Sequence, residues 1–91
     1  MTYKFSKPYE FEGKTYEELT IDLESLKGSD IATVTRQWNQ AGNFAALPKI
    51  DCDFCARLAA RVAKQPLEFF NEMPGRDYSN ITQEVSNFLM S

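Results

Sequence analysis

The residues best suited to chemistry in this 91-residue chain are two cysteines, Cys52 and Cys55, spaced as a C-x-x-C around Asp53 and Phe54. Such a pair can act as a reversible dithiol or supply half of a zinc site. A structural zinc site takes four protein ligands and a catalytic one three, and the sequence holds no further cysteine and no histidine. An intramolecular zinc site is therefore excluded, short of completion by carboxylates. Redox work favours the pair at the start of a helix that follows a strand in a βαβ unit. Here a helix start is expected and a βαβ unit is not. On a helix the two positions are i and i+3, and Cys55 falls on the apolar stripe, where a thiol behaves as a small hydrophobe. A structural role explains the pair better than redox chemistry, which stays open as an alternative. No nucleophile, base and orienting group can be assembled elsewhere, and there is no glycine-rich phosphate loop. An enzyme is not expected, nor is a cofactor or a metal.

A second stretch, Ser29-Asp30-Ile31-Ala32-Thr33-Val34-Thr35-Arg36-Gln37-Trp38-Asn39, resembles the recognition helix of LacI-type helix-turn-helix repressors. That reading, a small DNA-binding regulator, needs a preceding helix and basic surroundings. The preceding segment instead carries Glu17, Glu18, Asp22 and Glu24 and alternates like a strand. Thirteen acids against ten bases give a net charge of -3, which opposes binding to phosphates. Nucleic acid is not the expected partner.

Charge is unevenly spread, with seven acids and four bases in residues 1–30, two and five in residues 31–64, and four and one in residues 65–91. Acidic ends and a basic middle could complement each other between subunits, although a solvated surface accounts for the pattern as well. The longest uncharged run, Gln37 to Pro48, is too short to span a bilayer. Met1 to Lys14 contains no apolar core of a secretory signal. The expected setting is the cytosol, with both cysteines reduced.

Positioning these residues are elements that hydrophobic periodicity makes legible. Tyr3-Lys4-Phe5 alternates and is ended by Pro8, as in an edge strand. Tyr9 to Tyr16 reads as a hairpin turning at Glu12-Gly13-Lys14. Leu19, Ile21 and Leu23 alternate with acids, which predicts a half-buried strand over residues 17–24; Tyr16, Leu19, Leu23 and Leu26 would also share one face of a helix. Ser29 is suited to cap a helix opening at Asp30 and stopping at Gly42. Phe44 and Leu47 are expected to tuck a loop onto the core. Asp51 caps the next helix, whose stripe is Cys55, Leu58, Ala59 and Val62; Tyr78, Ile81, Val85, Phe88 and Leu89 form the last one. The expected fold class is α+β, mostly α. It consists of one domain (1–91), with a β-hairpin or short antiparallel sheet within residues 1–26. Three to four helices follow, at residues 29–42, 52–64, 66–73 and 77–90. A chain this short buries only roughly 60–65% of its unfolded surface, so added burial against a partner would matter.

Seven Phe, four Tyr and one Trp exceed what a small core needs. Phe69 and Phe70 are adjacent on a helix, so one of them is expected to face solvent or an interface. Phe88, Leu89 and Met90 form a second apolar cluster at the end of the last helix, either docked on the protein's own core or offered to a partner. These five residues are the candidate partner-binding positions.

The C-terminal half also resembles the phage tail assembly chaperone family of contractile-tailed temperate phages. The residues carrying the likeness are Leu58-Ala59-Ala60-Arg61, then Gln65-Pro66-Leu67-Glu68-Phe69-Phe70, then Met73-Pro74-Gly75-Arg76-Asp77-Tyr78, and Ile81, Val85 and Phe88-Leu89. Upstream, Leu19-Thr20-Ile21-Asp22-Leu23 and Leu26-Lys27-Gly28-Ser29-Asp30-Ile31 are similar to its strand and the helix start behind it. The C-x-x-C lies outside this pattern. The resemblance, over about residues 9–90, implies a non-catalytic assembly factor that binds the tape measure protein, keeps it soluble and helps recruit tail tube protein. It further implies self-association into homo-oligomers, action in the host cytoplasm during infection and absence from the mature virion; a membrane partner is not expected, since no run is long enough to span a bilayer. A programmed translational frameshift often extends such proteins. Asn87-Phe88-Leu89 can be spelled AAT TTT TTG, which contains a slippery heptamer, and a TTC codon at Phe88 would exclude it.

Overall fold

The computed structural model describes residues 1–43 and 51–90. Strands β1 (Thr2–Phe11) and β2 (Lys14–Thr20) come first, followed by a 3-10 turn at Leu23–Ser25. Helices α1 (Gly28–Gln40), α2 (Cys52–Ala63), α3 (Leu67–Asn71) and α4 (Gly75–Met90) complete the chain. The α+β class expected from the sequence is the one observed. The loop expected to seat Phe44 and Leu47 lies outside the described residues.

β1 and β2 pair antiparallel through a two-residue turn at Glu12 and Gly13, both with positive φ (48° and 79°). A turn with two positive φ angles matches the right-handed twist of the flanking strands, and Gly13 adopts its angle without the strain a side chain would bring. The register runs Lys4↔Glu18 and resumes at Tyr9↔Tyr16, so residues 5–8 of β1 stand against Glu17 alone. This bulge accommodates Pro8, which has no N–H to give to a ladder. Pro8 therefore does not end the first run, and β1 continues across it.

The alternation of Leu19, Ile21 and Leu23 does mark buried positions. The strand nevertheless stops at Thr20, short of the expected residue 24. Ile21 still exchanges backbone hydrogen bonds with Met1, at 2.7 and 2.6 Å. The Asp22 carbonyl then accepts bonds from the N–H and hydroxyl of Ser25, which draws the chain into the turn.

α1 opens at Gly28, one residue before the expected cap. Asp30 Oδ2 accepts the Lys27 N–H at 2.9 Å, so the carboxylate reaches back over the first turn. In α2, Asp51 does cap the helix, accepting the Phe54 N–H at 3.0 Å. Lys64, in the left-handed region, ends it. Pro66 precedes α3 instead of occupying its first position. α2 packs chiefly against α4 and next against α1. Ala56, Ala59 and Ala60 are all buried, and such small side chains let helix backbones approach closely.

The core has an aromatic centre. The Phe69 ring meets Phe5, Tyr9, Phe11, Tyr16 and Phe70 edge-to-face, at centroid distances from 5.0 to 6.5 Å. Each such pair adds about 0.5–1.5 kcal/mol beyond its area burial. Tyr9 also donates its hydroxyl to the Phe69 carbonyl at 2.8 Å.

Candidate functional site

Of the five candidate partner-binding residues, the structure separates two from three. Phe69 and Phe70 are both fully buried, each 0% exposed, so the expectation that one of them faces outward is corrected. The expectation assumed a helix with one covered side. α3 is a five-residue helix that keeps Glu68 and Asn71 in solvent and turns both Phe69 and Phe70 into the core. Phe88, Leu89 and Met90 instead lie together at the end of α4. The first two are half-buried and Met90 is 59% exposed.

The outer face of α4 shares a cleft of about 340 Å³ with the start of α2. Its walls include Cys52, Cys55, Ser79, Gln83, Ser86 and Met90. Gln83 donates to Asn87 at 3.0 Å along this face, and Ser86 to the Met90 sulfur at 3.7 Å. The wall carries no charged side chain and mixes hydroxyls and amides with the two thiols and the Met90 thioether.

Those thiols differ in character. Cys52 is exposed and Cys55 is buried, with no disulfide between them. Burial first, then the neighbouring Cys52 and Asp51, push the Cys55 thiol from an ordinary 9.0 up to about 12. A thiol so hard to ionise is a poor nucleophile and metal ligand at neutral pH. Among the described residues no three His, Cys, Asp or Glu side chains converge as a metal site would require.

The helix-turn-helix reading also meets the geometry. The elements before α1 are β2 and a 3-10 turn, where that motif needs a helix. Val34 and Trp38 of α1 are buried, which turns that side of the helix to the core. Trp38 stacks edge-to-face on Phe54 at 5.6 Å, and its indole N–H is buried without a hydrogen-bond partner among the described residues.

One polar constellation escaped the sequence. Asp77, in the first turn of α4, is 0% exposed. Its Oδ1 accepts the Tyr3 hydroxyl at 2.6 Å and the Ser6 N–H at 3.1 Å, and its Oδ2 accepts the Ser6 hydroxyl at 3.2 Å. Asn80 donates to the Tyr3 oxygen at 3.2 Å. Ser6 sits in the bulge of β1, so this carboxylate fastens the bulge to the positive end of α4. Burial, and next the bond to Asp77, raise the Tyr3 hydroxyl above its ordinary value. The arrangement acts as a latch between β1 and α4. Only the placement of an acid near a helix start was visible beforehand; nothing in the sequence paired it with Tyr3 and Ser6.

Among the described residues no helix is long and apolar enough to cross a membrane. A family model described as phage tail assembly chaperone proteins, E, or 41 or 14, matches residues 2–90. No curated protein and no solved structure matches the chain.

Proposed function

The chain belongs to the phage tail assembly chaperone family, and from that premise we propose that it is a non-catalytic factor that binds the tape measure protein, keeps it soluble and promotes tail tube assembly. The observation that supports the binding role is the open end of α4. There Met90 is 59% exposed beside the half-buried Phe88 and Leu89, while among the described residues the other large apolar side chains, Met1 apart, are buried or half-buried. A protein that keeps a partner's apolar helices in solution needs such a surface on a fold that is otherwise sealed. The partners in this reading are the tape measure protein, the tail tube protein and further copies of the chain itself. The setting is the host cytoplasm during infection, with the chaperone left out of the finished virion.

The test is co-expression of the tape measure protein encoded by the same phage, with and without this chain. The expected result is that the tape measure protein moves from the pellet to the soluble fraction and co-purifies with the chain. A tape measure protein equally insoluble in both cases would overturn the reading.

A further inference from the structure

Two clefts adjoin along another side of α4. One, of about 360 Å³, is walled by Met1, Tyr3, Asn80 and Glu84 among others. The next, of about 350 Å³, is walled by Met1, Leu23, Glu24, Glu84, Asn87 and Phe88. Met1 and Glu84 border both, so the two form one furrow that Met1 straddles. Its second half has an apolar floor: Leu23 is buried, Phe88 is half-buried, and Met1 is 37% exposed. Glu24 and Glu84, both exposed, border that floor.

The charges are not balanced locally. Ion pairs among the described residues join Arg57 to Asp53 and Arg61 to Asp30, and neither Glu24 nor Glu84 takes part in one. The Met1 ammonium is held on the Ile21 carbonyl at 2.6 Å and keeps its charge, so against Glu24 and Glu84 the border is left net negative by one. The furrow therefore presents apolar floor bordered by two carboxylates that face water.

We propose that this furrow seats a cationic amphipathic helix, with an apolar side chain on the Met1, Leu23 and Phe88 floor and lysine or arginine on either side meeting Glu24 and Glu84. The inference rests on the reading above in taking that helix from the tape measure protein. Burial of the apolar side chain holds the helix, while the two carboxylates select its flanks. An acidic helix with the same apolar seam is turned away by like charge. A helix suits the furrow because residues three and four apart lie on one face, so one turn presents an apolar residue and its flanking cations together.

The charge claim is tested with two synthetic amphipathic helical peptides sharing one leucine seam, one flanked by lysine and the other by glutamate. The expected result is that the lysine peptide binds the intact chain at least about tenfold tighter and loosens as salt rises, as charges at a rim dictate. Glu24→Lys with Glu84→Lys should reverse that preference without moving the thermal midpoint, since both side chains are exposed. Phe88→Ser should weaken both peptides alike. Equal binding of the two peptides, or a preference that survives the double reversal, would overturn the furrow as a seat for cationic helices. The occupant is tested separately, by co-purification of the tape measure protein. Capture by the native chain and loss with the double reversal supports the assignment, and undiminished capture by the double variant overturns it. Failure of the native chain itself to capture the protein would instead defeat the functional reading and this occupant, leaving the peptide result to decide the furrow.

Discussion

Phe69-Phe70 in α3 and Phe88-Leu89-Met90 at the end of α4 are similar in composition and opposite in fate. The first pair is enclosed by the hairpin and the larger helices, and the Phe69 ring alone meets five other aromatic rings. The second group has the body of the protein on one side and solvent on the other, so burial falls away toward Met90. The contrast teaches that apolar content does not by itself mark a binding surface. What matters is whether the chain has another element to lay over it. Phe69 and Phe70 both have one, and the end of α4 does not.

The largest effect is expected of Phe69→Ala. Truncating a fully buried phenylalanine costs about 3–5 kcal/mol, a large share of the roughly 5–15 kcal/mol that holds a domain of this kind together. Urea unfolding followed by circular dichroism should show the cooperative transition moved far toward zero denaturant. A midpoint near that of the native chain would mean that the aromatic block is not what holds the fold.

Asp77→Ala should come next. It leaves the Tyr3 hydroxyl and the Ser6 N–H without their acceptor, and a buried donor stranded in this way costs about 1–3 kcal/mol. Asp77→Asn keeps an acceptor and should recover part of the loss in the same urea titration.

Alkaline pH probes the core from another side. The folded-state value of Cys55, at about 12, lies above its ordinary 9.0. Its contribution to stability is therefore complete below about pH 9 and is lost as pH rises toward 12. The hydroxyls of Tyr3, Tyr9 and Tyr78 are raised too, each chiefly by burial, and act in the same direction. Urea midpoints should fall between pH 9 and 11, and less steeply in Cys55→Ala than in the native chain. At pH 8 an alkylating reagent should modify Cys52 and spare Cys55.

The smallest effect on stability belongs to Met90→Ser, expected within about 0.5 kcal/mol of the native chain because the side chain is largely in water. Its effect on capture of the tape measure protein should be the larger of the two.

How much of this was legible in the sequence varied with how local the cause was. Asp51 as a cap, the turn at Glu12-Gly13 and the burial of Cys55, Leu58, Ala59, Ile81 and Val85 follow from spacing within a few residues, and the structure has each of them. The start of α1 was misplaced because Asp30 serves Lys27 from inside the helix, a bond as compatible with the sequence as a Ser29 cap. The continuity of β1 through Pro8 goes with a bulge, and the bulge is bonded through Ser6 to Asp77, more than seventy residues away in the chain. Contacts of that range leave no periodic trace. Phe69 and Phe70 were misjudged for a related reason, since what covers a short helix is decided by other elements.

Peroxide footprinting of the three methionines, in the free chain and in the proposed complex with the tape measure protein, reports whether the end of α4 is the binding surface. Exposed thioethers oxidise first, so free Met90 should react fastest, then Met1, with Met73, 6% exposed in the core, last. Complex formation should slow Met90 and Met1 severalfold and leave Met73 as it was. Oxidation of Met90 and Met1 at the same rate in the complex as in the free chain would contradict a binding surface there.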